Sequence, residues 1–412
     1  MDFENRMPVD SRNEIISKIG YYSLILFVFF RPISLILHKE LIGINLLPIT
    51  VVCLSYMLMI VVFLEVSKIK IDTLDLLILI FCSYVLISAL WGSAIGEILS
   101  IILPSIVYFG TRLFIDNSNR VKRIMTALSI TYIIVLFGNF IFVLLGLSIE
   151  KYEFYSQVYR HKGLFLKIHT FAYFLVIYSF IYGYILTSFK NLNKLFKFVL
   201  FISLIVSLYC LYKTYTRTAF VGVLLFWLFY LFGQKKKYFV IFIVTLLCGI
   251  AVFYSSLGRI FWKTNEYDLN DASSGRLTIW THNLELFYES SLNVKLLGAG
   301  LGNKIGGAVI GDDDQIWASH SNFLGLLMGT GLVGLSIYLS IIIVLFWITT
   351  KKKLTNQKKW FYYGILTSVT VMNSLSNAFI LRVECSQMFW LFIGLIYVND
   401  ISVNRFKLSK DY

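Results

Sequence analysis

Apolar residues along the chain come in long runs that short polar connections separate, as in "ITYIIVLFGNFIFVLLGL" at residues 130–147. A helix needs about 20 apolar residues to cross the hydrocarbon core of a bilayer. The pattern therefore predicts an all-α polytopic membrane protein with about twelve transmembrane helices. The predicted spans are residues 19–37, 44–66, 74–92, 97–115, 124–147, 165–188, 197–213, 217–233, 238–256, 321–349, 360–381 and 384–399.

Composition agrees with a membrane protein. Of the 412 residues, 58% are hydrophobic and 15% are charged, which is too few charges to cover a water-soluble surface of this size. The first apolar run has no small-residue cleavage site and many more runs follow it, so we expect a retained helix and no removed signal peptide. We predict a single integral membrane domain over residues 1–412.

The net charge of +14 follows from where the lysines and arginines stand. They collect in alternate connections, such as Lys235 to Lys237 and Lys351 to Lys353. This alternation is typical of cytoplasmic connections and predicts that both termini are cytoplasmic. The basic balance therefore requires no nucleic acid. The five cysteines fall in or beside apolar runs, so we expect small buried hydrophobes and neither a disulfide nor a metal site.

Two of the connections predicted to face outward are long, at residues 148–164 and 257–320. The second is a large extracytoplasmic loop between the ninth and tenth predicted transmembrane helices. In it, "RLTIWTHNLELFYES" from residue 276 has apolar residues at helical spacing and predicts a helix in the membrane interface. The glycines from residue 298 onward allow close approach of the backbone to a ligand. The "GAGLGN" within them lacks a strand-turn-helix context, so no nucleotide site is expected.

Polar residues that could bind a ligand or take part in a reaction collect on the predicted outer face. An arginine beside a membrane is costly unless an anion meets it, and phosphate suits a guanidinium because two parallel hydrogen bonds form. A nearby histidine can exchange a proton near neutral pH. Together they indicate a transferase whose leaving group is a diphosphate. The outer-face residues are Arg160, His161, Lys162, His169, Thr214, Thr216, Arg217, Arg276, His320, Asn322, Arg382 and Glu384.

Several of these residues also have a purely structural interpretation. Arg160 and Arg217 could simply lie at the ends of spans, with the charged head reaching water. Arg276 could be a solvated loop charge or could dock the helix that it begins. His320 could cap the helix that follows it.

Three further features have structural alternatives. The acidic run at residues 312–314 could bind a cation, but such runs more often form a solvated turn. Arg382 and Glu384 could form a local ion pair. The glycines at residues 329–334 could serve close packing between membrane helices.

Several short motifs occur in a distinctive order: "YRHKGLF", "TYTRTAFVG", "SSGRLTIW", "LLGAGLG" and "SHSNFLGLLMGTGLVG". Over about residues 155–345 this order resembles the O-antigen polymerase and O-antigen ligase superfamily. The resemblance implies a membrane-embedded glycosyltransferase of the GT-C type that uses no metal and no other cofactor. It also implies an undecaprenyl-pyrophosphate-linked oligosaccharide as substrate.

The resemblance assigns roles to matching residues. It implies that Arg217 and Arg276 hold the pyrophosphate, with Arg160 as a further member of this group, and that His320 is catalytic. Asn322 and Arg382 are additional candidates. The implied location is the bacterial cytoplasmic (inner) membrane, with an extracytoplasmic active site among membrane lipids. A flippase and a chain-length regulator are the implied protein partners.

Three functions are compatible with these features. The favoured one is a polymerase of lipid-linked repeat units that builds O-antigen, capsular or exopolysaccharide chains. The alternative is a ligase that uses the same donor and transfers the glycan to lipid A core or another acceptor. A transporter for lipid-linked sugars is less favoured, because the chain shows no internal repeat and its polar residues gather at one face.

Overall fold

The computed structural model describes residues 9–36, 46–65, 67, 69–147, 149–151, 159–189, 192–252, 275–302, 307–309, 316–380 and 382–408. The acidic run at residues 312–314 lies outside these ranges, as do parts of the predicted outer loop at residues 257–320. Features predicted for residues outside the described ranges stay predictions.

Helices dominate the structure. In chain order, α1 to α14 are Val9–Ser34, Leu46–Glu65, Thr73–Ile87, Ile95–Phe114, Ser118–Leu144, Ile168–Ser188, Lys194–Thr214, Arg217–Phe232, Lys236–Val252, Arg276–Glu289, Leu292–Leu297, Asn322–Lys351, Asn356–Leu375 and Val383–Leu408. A short 3-10 helix, Ser88–Trp91, follows α3. The predominantly α-helical fold class is thereby confirmed.

Two small antiparallel hairpins accompany the helices. Strand β1 (Ile149–Lys151) pairs with β2 (Tyr159–His161), and β3 (Gly307–Val309) pairs with β4 (Ile316–Ala318). The all-α prediction did not include them, since three-residue strands are too short to give a readable alternation of apolar and polar residues. Both hairpins lie in the connections predicted to be long and outward-facing.

Each of the twelve predicted spans overlaps one of these helices. Among the described residues, seven helices are long and apolar enough to cross a membrane: Glu14–Ser34, Thr73–Trp91, Ile95–Phe114, Ser118–Leu144, Ile168–Ser188, Lys194–Thr214 and Asn322–Lys351. Shorter apolar helices cover Ile49–Glu65, Arg217–Phe232 and Val383–Val398. Multiple apolar helices agree with a multi-pass membrane protein, while the number twelve and the orientation remain predictions.

The described residues divide into two compact units. The first comprises residues 1–70, 103–135 and 387–412. In it, α1 packs on α2, and the ring of Tyr108 lies 5.6 Å from that of Trp390, centroid to centroid. The guanidinium of Arg112 lies 4.0 Å from the ring centroid of Tyr397. This unit contains none of the candidate site residues.

The second unit comprises residues 71–102 and 136–386 and contains every candidate site residue. Its central element is α6, which is buried over almost all of its length and packs against α7, α8 and α13. Helices α8 and α13 share the most extensive contact. Between them the Ser368 hydroxyl donates to the Gly222 carbonyl at 2.8 Å. The beginnings of α6 and α8 and the end of α13 lie at one end of this bundle.

Side chains define where several helices begin. Asp72 accepts from the N–H groups of Leu74 and Asp75, while the Asp75 carboxylate accepts from the Asp72 N–H, so that a capping box begins α3. The hydroxyl of Ser321 accepts from the N–H of Leu324 at 3.4 Å and begins α12. Ser321 is therefore the N-cap of α12, which corrects the alternative that His320 caps this helix.

The turn "RHKG" after β2 depends on a glycine. Gly163 has φ +59°, in the left-handed region that L side chains rarely adopt. The Asn139 side-chain oxygen lies where a Cβ at Gly163 would stand, and it accepts from the Leu164 N–H at 2.6 Å. Asn139 is completely buried, so this bond fixes the turn against α5.

We expect Gly163→Ala to lower the free energy of unfolding by about 1–3 kcal/mol, because the new methyl group meets Asn139 in an unfavourable backbone conformation. Thermal unfolding of the detergent-solubilised protein measures this. Gly96→Ala is the matched control, since a Cβ there meets nothing within 4 Å. Equal melting temperatures for the two variants would contradict the described turn.

Candidate functional site

Arg160 joins β2 to the turn between α7 and α8. Its Nε donates to the Thr214 carbonyl at 2.9 Å, and one of its terminal nitrogens donates to the Thr216 hydroxyl at 3.1 Å. Between these two partners, Tyr215 has φ +49°. The guanidinium therefore rests on neutral oxygens of a turn that has an unusual backbone conformation. These contacts give Arg160 a defined position in addition to its charge.

Arg217 is the first residue of α8 and follows Thr216, which caps the helix and contacts Arg160. Its side chain is half-buried. The two arginines are thus attached to the same turn, one through hydrogen bonds and the other through the chain. The structure thus places two of the predicted site residues, Arg160 and Arg217, at the same turn.

Arg276 begins α10, directly after Gly275 with φ +74°. Its guanidinium donates to the carbonyl of Leu375, the last residue of α13. The indole N–H of Trp280, one turn further along α10, donates to the Ser319 carbonyl at 2.9 Å. This helix therefore connects the end of α13 with the residue that precedes His320, as the docking interpretation of Arg276 predicted.

His320 adopts a strained backbone conformation just before α12. Its φ is +49°, and Tyr215 is the other non-glycine residue with positive φ in the part of the chain that the structure describes. Such outliers persist where the surroundings hold them, and they cluster at functional sites. The imidazole is half-buried, and among the described residues no hydrogen bond to it is found.

Arg382 lies in the turn between α13 and α14 and is held from three sides. Its Nε donates to the Asn377 carbonyl at 2.8 Å, and a terminal nitrogen donates to the Thr170 hydroxyl at 3.1 Å. Its guanidinium carbon lies 5.4 Å from the ring centroid of Tyr173. These three partners are neutral. Within the described ranges no ion pair joins Arg382 to Glu384, so the structural alternative of a local ion pair is wrong.

Two histidines lie within electrostatic range of the arginines of the site. Burial lowers the pKa of His320 below the ordinary histidine value, and the positive charges of Arg276 and then Arg382 lower it further. His169, at the beginning of α6, lies within electrostatic range of His320, Arg160, Arg276 and Arg382. The structure thus brings together residues from five separate chain segments.

Asn322 is completely buried and binds protein groups. Its amide lies 2.7 Å from that of Asn373, and the two share one hydrogen bond. With its oxygen facing the turn before α14, it accepts from the N–H groups of Ala378, Phe379 and Ile380 at 3.1, 3.2 and 3.1 Å. The geometry gives Asn322 the task of holding the turn that carries Arg382.

Two residues central to this arrangement were not among the predicted site residues. His169 was noticed only as an outer-face histidine, and Tyr173 was not singled out. The ring of Tyr173 stacks near His169 at 6.1 Å between centroids, and its hydroxyl lies 2.6 Å from that of Ser376. The spacing of four residues on one apolar helix was the available signal, because i and i+4 share a face.

A metal site was not predicted, and the described residues contain no group of three or more His, Cys, Asp or Glu side chains that could hold a metal ion. The site combines guanidinium groups with imidazoles at one end of apolar helices. Such a site can bind a multiply charged anion and can exchange a proton beside it.

We predict that His320 stays neutral at lower pH than an ordinary histidine, whose pKa is about 6.5. Diethyl pyrocarbonate modifies neutral imidazole, so modification of His320, followed by mass spectrometry, should persist below that pH. Arg276→Gln removes a charge that lowers the pKa of His320 and should move the midpoint upward.

The matched control is Lys197→Gln, an exposed cation near the opposite end of α7. It should leave the midpoint unchanged. A His320 midpoint at or above the ordinary value in the unaltered protein would contradict the buried, arginine-rich surroundings.

The comparison with protein families places this geometry in context. Residues 202–339 match the family model described as O-antigen ligase. The matched segment contains Arg217, Arg276, His320 and Asn322, whereas Arg160 and Arg382 lie outside it. A search of curated proteins gave no match. Over residues 202–339, about a third of its length, the chain is thus similar to the O-antigen ligase family, and this match supports the resemblance to the O-antigen polymerase and ligase superfamily.

Proposed function

We propose that the chain polymerises undecaprenyl-pyrophosphate-linked oligosaccharide repeat units into O-antigen, capsular or exopolysaccharide chains at the outer face of the bacterial cytoplasmic membrane. The family supports the general class, because its members are glycosyltransferase-like enzymes and it implies a lipid-linked oligosaccharide substrate. The choice of polymerisation, the diphosphate donor, the GT-C type and the independence of metal belong to the proposal.

The observation that carries the proposal is that Arg276 and Arg382, held on the carbonyls of Leu375 and Asn377, lie within electrostatic range of His320. Two positive charges beside a half-buried imidazole favour binding of an anion, and they keep the imidazole neutral and thus able to accept a proton. Arg160 adds a third guanidinium within range of the neighbouring His169. A lipid diphosphate has the charge to match this cluster.

The proposed step transfers a glycan between two lipid-linked substrates. A sugar hydroxyl of the incoming repeat unit attacks the anomeric carbon of the growing chain, and the bond from that carbon to the diphosphate oxygen breaks. His320 takes the proton of the hydroxyl. Arg217, Arg276 and Arg160 stabilise the departing lipid diphosphate, whose charge increases most in the step.

Arg382 and Asn322 have supporting tasks in this scheme. Arg382 adds positive charge on the side of Thr170 and Tyr173. Asn322 holds the turn that carries Arg382, through the amides of residues 378–380. Neither task requires Asn322 to touch the substrate, which agrees with its complete burial.

A ligase is the second candidate, and the matched family model is itself described as O-antigen ligase. A ligase would use the same donor and the same departing diphosphate but would transfer the glycan to lipid A core or another acceptor. The arginines and His320 would keep their tasks. The two functions therefore differ in the product, and only the product can separate them.

We expect His320→Ala and Arg276→Gln each to abolish long surface glycan in a host whose own copy of the gene is deleted. Both remove a group on which the transfer step depends, and a loss of at least a hundredfold is expected for a proton acceptor. The extracted glycan is separated by length on a gel, and Lys197→Gln serves as the control with intact polymer.

Each pattern on the gel has a distinct meaning. Collapse of the ladder to single repeat units on the final acceptor identifies a polymerase. Long glycan that accumulates on the lipid carrier and is missing from the final acceptor identifies a ligase. A normal ladder from His320→Ala, with the protein present in the membrane, would sink both assignments.

A further inference from the structure

Helix α12 is broken near its beginning. Gly331 has φ +64° and ψ −170°, which is far from helical geometry, and it divides α12 into a short part at residues 322–330 and a long part at residues 332–351. A break of this kind interrupts the hydrogen bonds between each carbonyl and the N–H four residues later. The last carbonyls of the short part therefore need other donors.

The outer loop supplies two of these donors. The Ala299 N–H donates to the Met328 carbonyl at 2.9 Å, and the Gly300 N–H donates to the Gly329 carbonyl at 3.0 Å. Residues 297–301 thus lie along the broken end of the short helix. We call residues 297–301 together with residues 328–331 the glycine joint.

Tyr84 on α3 supplies the third donor. Its hydroxyl lies 2.8 Å from the Thr330 carbonyl and 3.1 Å from the Leu297 carbonyl. One hydroxyl group therefore touches the end of the short helix and the beginning of the inserted segment at once. The three consecutive carbonyls of residues 328–330 all have partners from outside α12.

The glycines of the joint leave no room for side chains. A Cβ at Gly331 would collide with the carbonyl of Leu296, and a Cβ at Gly298 would collide with that of Gly329. Both glycines have positive φ, so a side chain would be strained even without the collision. The prediction that the glycines pack between membrane helices is wrong for Gly329 and Gly331, which face residues 296–301, whereas Gly334 faces Tyr84 of α3.

A second set of bonds holds the inserted segment from the opposite side. The Leu301 N–H donates to the Ser93 hydroxyl at 2.7 Å, and the Ala94 N–H donates to the Leu301 carbonyl at 2.8 Å. A Cβ at Gly300 would approach the Gly92 carbonyl carbon to 2.8 Å. The segment is thus clamped between the break of α12 and the turn that follows α3.

We propose that the glycine joint and Tyr84 position His320 for the transfer step, so that Tyr84 is a positioning residue. The short helix at residues 322–330 is only nine residues long, and it carries its cap Ser321 and the adjacent His320 at its other end. Its break end is held by the hydrogen bonds from Ala299, Gly300 and Tyr84 to the carbonyls of residues 328–330. A shift there moves His320 relative to Arg276 and Arg382. The catalytic consequence rests on the proposed function.

The test uses Tyr84→Phe, which keeps the ring and removes the hydroxyl, and Gly331→Ala, which forces the inserted segment away. Hydrogen exchange of the peptide containing Ala299 and Gly300 reports on the joint. Exchange should be about fivefold faster in Tyr84→Phe, as for the loss of one bridging hydrogen bond, and faster still in Gly331→Ala. Tyr288→Phe, 74% exposed on α10, and Gly96→Ala are the matched controls.

Diethyl pyrocarbonate modification of His320 reports on its position without any enzymatic assay. We expect its midpoint to rise towards the ordinary histidine value in both variants, because His320 moves away from Arg276 and Arg382. The pH at which polymer formation falls to half of its maximum on the acid side should rise by the same amount. A merely destabilised protein would lose activity equally at every pH and leave the midpoint in place.

The outcomes separate the two proposals. Faster exchange with an unchanged His320 midpoint would overturn the positioning role, as would unchanged exchange in both variants. If the unaltered protein forms no polymer and no ligated glycan, the proposed function fails. The exchange rate and the His320 midpoint still decide whether the joint positions this histidine.

Discussion

The carbonyl groups that a broken helix exposes must find donors, because an unpaired backbone group away from water costs free energy comparable to a lost hydrogen bond. At the break of α12 this requirement is met by Ala299, Gly300 and Tyr84. The path of the chain is thereby fixed at residues 297–301. The short helix therefore has one end at the joint, while Trp280 and Asn322 hold the end that carries His320.

A second constraint is the concentration of positive charge around His320 and His169. Arg160, Arg276 and Arg382 each have carbonyl or hydroxyl oxygens among their hydrogen-bond partners, and Arg382 also lies over the ring of Tyr173. Neutral partners orient a guanidinium without cancelling its charge. The fold therefore holds the arginines in place while their field still reaches the histidines, and this is the condition that an anion-binding site must meet.

Sequence patterns predicted the helical fold class and the helix Arg276–Glu289, because apolar runs and helical spacing are local properties. They also selected Arg160, Arg276 and His320, since polar residues at helix ends are conspicuous in an apolar chain. The contact of Arg382 with Thr170 spans 212 residues and has no local signal. The glycine joint could not be predicted either. Both segments contain glycines, but nothing in the sequence of one segment indicates that it contacts the other. Ser321, rather than His320, proved to cap α12.

The glycine joint restricts how the sequences of its two segments can diverge among related proteins. Gly298 and Gly331 face main-chain atoms, so a larger residue at one position cannot be offset by a smaller residue at the other. Each segment must therefore keep its own glycine, whatever side chains the other segment carries. Chimeras that take the loop from one relative and the helix from another should assemble only when both parents keep this backbone contact.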